Sequence, residues 1–497
     1  MTTARKIESN SSSASAKGSQ PLWQIQAIVG IGGFLSAING SVMAVALPTV
    51  SQHFRASASA ASWIVLSYML AATALVFVFG RAADILGRRR MFLSGLGLLS
   101  ISSVFAGLAP NVTFLIAFIC MQGVGAAALL CSITTLLTDS FPSDKLPSAL
   151  GINVTIASLA QVLGPVLGGL LASRLGWRAV FWFNVPLGLA GLVWAWISLH
   201  STTSRAKGES FDYFGAVLST LGLGGLILAI SQGGILGWTS RPVLLGIGLF
   251  MICTPVFLLV QSRRRHPLLE LALFADRARS LAYLSLFLMA MAYYAVVLLM
   301  SLYLQAAGGM SADQAGTRVL YVAVGMAIAS PIAGQLRPQV SVRVLTTIGL
   351  TLSTLGLFAL AIMISPDLSE MALGMCLCTI GAGVGLFMTP NTSAIMSSVR
   401  PERRGIANGV RQTVQNAGWT LSTAVSLTIV TMSLPGPLKK AAYAGDMGTL
   451  DPQSLTHVTG GYRCALLILC GVCAAGCVAS LARSRDPQPE LTHHGNS

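Results

Sequence analysis

Charge is scarce in this chain: 9% of its 497 residues are Asp, Glu, Lys or Arg, against roughly 25% in an ordinary soluble domain. A water-soluble fold of this length cannot cover its outside with so little, which excludes a cytosolic enzyme. Acids are the scarcer sign, 16 against 31 Lys and Arg. The acids and the six His keep to loops, tails and the edges of apolar runs. No carboxylate or imidazole is therefore placed to carry a proton through the middle of such a run. The nine Cys all lie inside apolar runs, and Cys470 and Cys473 have no His at ligand spacing. No metal, redox centre or disulfide framework is expected. No cluster of His, Asp, Cys or Ser with a neighbouring base marks an enzyme, and no cofactor is expected. The net charge of +15 sits in short loops. With no basic domain long enough to cover a duplex, nucleic acid is not an expected partner.

Apolar residues are what the chain has instead: 54% are hydrophobic and the mean hydropathy is +0.73. Runs of about 17–25 apolar residues are long enough to cross a bilayer as helices. Fourteen such runs lie near 25–47, 62–79, 91–108, 114–137, 149–171, 179–199, 213–232, 242–261, 280–304, 318–336, 344–364, 371–396, 405–431 and 462–482. They are continuous rather than alternating, which predicts helices and not a barrel. An even number of spans puts both termini on one side. That side collects 22 of the 31 Lys and Arg, the other side 8, and Arg411 stands within a span. The bias predicts that both termini are cytoplasmic. Residues 1–22 read as a disordered cytoplasmic tail and 483–497 as a second one. Residues 262–279 read as a basic amphipathic helix at the inner interface, and 432–461 as an external loop.

The most informative run is Gly80-Arg81-Ala82-Ala83-Asp84-Ile85-Leu86-Gly87-Arg88-Arg89-Arg90. Its glycines permit a tight reversal, and its Asp and arginines form charge-assisted bonds across neighbouring helix ends. Gly80, Asp84, Gly87, Arg88 and Arg89 are thus a candidate conformational latch. In the fifth run, Gly164, Pro165, Gly168 and Gly169 combine close helix approach with a missing backbone donor, a candidate bend. Polar residues inside spans point to a substrate cavity. These candidates are Asn39, Gln122, Asn153, Gln161, Tyr293, Tyr294, Asn391, Arg411, Gln412 and Asn416. Asn153 and Gln161 share one helical face, as do Gln412 and Asn416.

The Gly80–Arg90 run resembles the loop 2–3 motif of the major facilitator superfamily. Ser62-Trp63-Ile64-Val65 with Tyr68, Gln122-Gly123, Gly164-Pro165, Trp177-Arg178, Phe183-Asn184-Val185-Pro186 and Pro390-Asn391-Thr392-Ser393 continue the resemblance to its fourteen-span drug:proton antiporter branch. The resemblance covers about residues 22–482. It implies an all-α polytopic membrane protein with two six-helix halves, 23–200 and 280–482, and an inserted helix pair with its cytoplasmic linker at 201–279. It further implies a bacterial inner-membrane efflux transporter of small amphipathic molecules, a multidrug-resistance type working by alternating access. Its expected partners are a small-molecule substrate, the proton, the lipid bilayer and an outer-membrane or periplasmic adaptor. Two positions depart from the branch. Asn39 stands where it carries an acid, and Ile119 where it carries an Arg. Asp84 and Asp139, at span edges, are the remaining candidates for proton coupling. The alternatives are a proton-independent facilitator and a non-transporting sensor or scaffold of the same fold.

Overall fold

The computed structural model describes residues 21–56, 58–142, 144–199, 211–264, 267–307, 310, 312–337, 339–365, 368–432 and 452–483. The expected tails, apart from a few residues, and most of the expected external loop lie outside them. Every regular element among the described residues is helical. In chain order these are α1 (Leu22–Phe54), α2 (Ala58–Ala74), α3 (Val76–Leu86), α4 (Arg88–Gly107), α5 (Val112–Ser140), α6 (Leu146–Arg174), α7 (Trp177–Trp182) and α8 (Asn184–Ser198). Then follow α9 (Tyr213–Leu236), α10 (Arg241–Arg263), α11 (Arg277–Ala306), α12 (Ala312–Leu336), α13 (Val342–Met363), α14 (Glu370–Ser397), α15 (Arg404–Met432) and α16 (Pro452–Leu481). Several starts are capped by a side-chain oxygen accepting a first-turn N–H: Asn111 for α5, Asp212 for α9, Asp276 for α11 and Ser369 for α14.

Among the described residues, eleven helical stretches are long and apolar enough to cross a membrane, or twelve if α2 and α3, bent by 46°, form one span. Two further helices, α6 and α15, have 29 residues each but fall outside that set. For α15 the reason is visible in its sequence: Asn408, Arg411, Gln412, Gln415 and Asn416 follow one another at helical spacing, and all are buried. Its polar face is turned to other helices, where lipid never meets it.

Two local expectations change. The second span was expected to end near 79, but α3 runs through Gly80 and Asp84 to Leu86, and only Gly87 (φ 98°) reverses the chain. Gly80 is thus helical and serves close packing, since a Cβ there would lie 2.7 Å from the Gly405 carbonyl oxygen. Gly164, Pro165, Gly168 and Gly169, the expected bend residues, lie within one continuous helical element, α6. Residues 267–274 form a bent, irregular stretch and a single 3-10 turn, Leu271–Phe274, rather than an interfacial helix. Leu268, Leu269 and Leu273 are buried inside the protein, while Leu271 stays exposed.

Packing repeats along the chain. Helix α1 packs on α6, α2 and α4 on α5, and α4 on α8; likewise α11 packs on α15, α12 and α13 on α14, and α13 on α16. The repeat extends to atoms. Gly95 of α4 and Gly125 of α5 meet backbone to backbone, with a Cβ on either falling 2.8–2.9 Å from the other's carbonyl oxygen. Gly349 and Gly383 form the same crossing between α13 and α14, and Gly225 and Gly246 between α9 and α10. Without side chains at the crossing, the helix axes approach closely and gain dispersion contact in the absence of a hydrophobic drive. The two groups of helices join along two seams, α6 with α12 and α3 with α15, while α9 lies against α2, α3 and α15.

Candidate transport site

The α3–α15 seam ends in a buried ionic cluster. Asp84 is fully buried, and its carboxylate accepts hydrogen bonds from Gly405 N at 3.0 Å and Ile406 N at 3.1 Å, the first turn of α15. An anion at a helix N-terminus meets unpaired N–H groups and the positive end of the helix dipole. Arg88, one turn on, lies 3.5 Å from Asp84, pairs with Asp139 of α5 and donates to Pro401 O. Arg404 closes the ring, donating to Asp139 Oδ1 at 3.0 Å. Of the candidate latch, Gly80, Asp84, Gly87 and Arg88 come together here. Arg89 points away and donates to Trp196 O at 2.6 Å. Asp139 belongs to the same cluster as Asp84. Sequence reading assigned no role to the other side of this ionic cluster, the turn 400–406. Its signal was present as Arg403-Arg404-Gly405, two cations before a glycine at a helix start.

From this end the seam runs along the polar face of α15. Asn408 Nδ2 donates to the carbonyls of Leu130 and Cys131 of α5, each at 3.1 Å. Arg411 is 6% exposed, and its guanidinium donates to Asn408 Oδ1 (3.0 Å), Gln415 Oε1 (3.1 Å) and Gln412 Oε1 (2.6 Å). Among the described residues no carboxylate pairs with it. A buried cation is thus held by three neutral amide oxygens, an arrangement that leaves its positive charge uncancelled. One turn further, Asn416 Nδ2 donates to Thr73 Oγ1 at 3.1 Å, across the seam. Trp419 then stacks on Tyr294 of α11, centroids 5.0 Å apart at 18°, with Tyr293 edge-on to Tyr294 at 6.4 Å. Arg411, Gln412, Asn416, Tyr293 and Tyr294 therefore form one continuous strip.

Hydrogen bonding on the α6–α12 seam reaches a similar depth. Thr155 donates to Ala327 O at 3.3 Å, and Ser158 approaches the Met326 sulfur at 3.8 Å. Ser158 and Asn416 each lie twelve residues into their helices, about 18 Å from the latch end. Past that depth, Leu159, Gln161 and Leu163 of α6 are exposed.

A second group lies between α1, α2 and α5. Asn39 and Gln122 line one small crevice with Met43, Tyr68, Met69 and Ile119, with a cavity volume of about 10 Å³. Asn39 Oδ1 accepts from Asn184 at 2.9 Å, while its Nδ2 has no partner among the described residues. Gln122 donates to Ser103 at 3.0 Å. The two departures, Asn39 and Ile119, thus share one site that is neutral throughout.

Other candidates lie apart. Asn391 donates to Ala282 O at 3.2 Å and accepts from Arg483 at 3.2 Å, tying α14 to α11 and to the end of α16. Asn153 faces Gly33 of α1, and Gly164 and Gly168 press on Ser41 and Val42 of the same helix. That stripe of α6 is packed against α1, and Gln161 is its exposed exception.

A cluster that ties two helix groups at one end, with a polar and aromatic strip leading away from it, suits a transporter. The model described as Major Facilitator Superfamily matches residues 29–423, and the chain belongs to that family. Multidrug resistance protein Stp of Mycobacterium tuberculosis (strain CDC 1551 / Oshkosh) is 31% identical over 411 residues, covering 82% of this chain and 76% of Stp. The tetracenomycin C resistance and export protein of Streptomyces glaucescens is 28% identical over 403 residues, 81% of this chain and 75% of that protein. The solved structure of the proton:xylose symporter XylE superposes with a TM-score of 0.63 at 13% identity, covering 93% of this chain and 96% of XylE. That likeness shows the fold. The protein is an integral membrane transporter of this superfamily, with relatives named as multidrug-resistance and export proteins.

Proposed function

We propose that the chain is a fourteen-span exporter of small amphipathic organic molecules, with α6 and α15 as its fifth and thirteenth spans. Its halves are 23–200 and 280–482, the pair at 201–279 is inserted between them, and both termini are cytoplasmic. The observation that carries the reading is the ring of Asp84, Arg88, Asp139 and Arg404 closed on the N-terminus of α15. The loop charges support the latch end as cytoplasmic. The described conformation is then closed to the cytoplasm, and transport requires the ring to open and re-form. Asp84 and Asp139 are the proposed proton acceptors, because protonating either carboxylate removes the charge that holds the ring. The relatives' printed names support export and drug-like or antibiotic substrates.

The strip on α15 supports a substrate carrying an anionic or strongly accepting group beside an aromatic or apolar body. Arg411 would receive the anion in exchange for its amide partners, and Tyr294 with Trp419 would receive the ring. Replacing Arg411 by Gln is expected to raise KM about tenfold or more for anionic compounds and to spare neutral ones. Equal effects on both classes would remove Arg411 from recognition.

A second reading, proton-independent export, is favoured by the neutral Asn39–Asn184 pair at the position where the branch carries an acid. Accumulation of a panel of labelled compounds in inverted vesicles, with and without a pH gradient, separates the readings. Uptake that collapses with the gradient supports antiport. Uptake indifferent to it selects the second reading, and no uptake of any compound removes both.

A further inference from the structure

The segment following the inserted pair is built into the gate. Gln261, near the end of α10, is 3% exposed, and its amide is bonded on both sides. Nε2 donates to Asp212 Oδ2 at 2.8 Å, while Oε1 accepts from Leu268 N at 2.6 Å and Leu269 N at 3.2 Å. Asp212 in turn caps α9 through Gly215 N at 2.9 Å. One side chain thus joins the start of α9, the end of α10 and the returning chain. That chain buries Leu268, Leu269 and Leu273 in a single apolar cluster that also holds Phe77 of α3 and Ile406, Ala407 and Val410 of α15. Glu270 lies 3.7 Å from Arg403, in the turn that opens α15. The same turn offers Pro401 O to Arg88 and the Gly405 and Ile406 N–H groups to Asp84.

We infer that Gln261 is a positioning residue for transport. By holding residues 267–274 against α15, it keeps the 400–406 turn where Asp84 and Arg88 can grip it. The inserted pair is on this account a working part of the latch, not a spacer between the halves. The physical reason is local. The segment has only one 3-10 turn of its own, so two of its buried backbone donors depend on this one amide. Losing the amide leaves those donors unpaired, and the leucines lose the anchor that fixes their depth. The inference rests on the reading of the Asp84–Arg88 cluster as a gate.

The test uses the full-length protein in inverted vesicles, with Cys131 as its sole cysteine and the other eight replaced by Ala. Cys131 is fully buried beside the seam, and a membrane-impermeant maleimide reports when the latch end opens. A parallel protein keeps only Cys473, equally buried between α13 and α16 and away from the seam. Gln261→Met, which keeps length and apolar bulk but loses the bonds, is expected to raise Cys131 alkylation about five- to twentyfold and leave Cys473 unchanged. Should that variant not reach the membrane, Glu270→Gln, at the half-exposed pair, is expected to give a two- to threefold rise. Equal rises at both thiols would indicate general loosening and overturn the proposal. Asp84→Asn is the control for the gate itself. If it exposes Cys131 while neither brace variant does, the brace is refuted and the latch stands. If Asp84→Asn also leaves Cys131 shielded, both readings fall.

Discussion

Asp84→Asn is the most direct perturbation of the latch, and its size follows from the contacts. The carboxylate accepts two backbone N–H bonds at 3.0 and 3.1 Å and lies 3.5 Å from Arg88. Hydrogen bonds to a charged acceptor contribute about 1.5–3 kcal/mol, neutral ones about 0.5–1.5. The charge at the end of α15 adds about 0.3–1 kcal/mol, more when partly buried. Asparagine retains one carbonyl acceptor, loses the charge and turns its NH₂ toward one of the two N–H groups. The net loss comes to about 2–4 kcal/mol, and at about 1.4 kcal/mol per factor of ten the closed state loses roughly 30- to 1000-fold in relative population. A latch starting near 99:1 would then spend between roughly a quarter and nine-tenths of its time open. The assay is alkylation of Cys131 from the latch side. In the closed form its thiol faces Val76 O at 3.1 Å and its carbonyl is covered by Asn408. The Asp84→Asn protein should react at least about tenfold faster while its melting profile keeps a single transition. An unchanged rate in folded protein would refute the claim that this carboxylate closes the seam.

Two further outcomes follow from the same contacts. Gly80→Val places a branched side chain where even a Cβ comes within 2.7 Å of Gly405 O, so it should favour the open seam, raise Cys131 alkylation and cut export several-fold; wild-type export with a shielded thiol would contradict the close packing of α3 and α15. Asn39→Asp puts a titratable group beside Asn184 at 2.9 Å, and should make uptake into inverted vesicles steeper in the pH gradient, measured as the ratio of rates with and without it; an unaltered ratio would remove the Asn39 position from coupling.

Much of this was legible before any coordinates, and the boundary of legibility is physical. The Gly80–Arg90 run declared a reversal and an ionic contact, because helix-breaking glycine and opposite charges one turn apart have few other uses. Gln412 and Asn416 were readable as one face because helical period alone sets it. The partner of each face was not readable. Asn153 and Gly164 share a stripe by spacing, but that stripe is packed against α1, whereas the stripe on α15 spans the seam. Asn391 looked like a cavity residue until its amide met Ala282 and Arg483. The donors to Asp84 were hidden for a different reason: they are backbone N–H groups, which no residue type announces. The leucines at 268, 269 and 273 were misread because amphipathic spacing does not distinguish burial in protein from burial in lipid.

The polar face of α15 bears on how the chain reaches its membrane at all. An Arg within a lone helix resists translocon-mediated partitioning by up to about 2.5–3.5 kcal/mol, and the amides around Arg411 add to that reluctance. Helix α15 therefore enters the lipid late and in company, once α5 and α11 are there to receive it. A variant in which α5 or α11 failed to seat would leave this segment stranded at the surface, an early target for quality-control proteolysis.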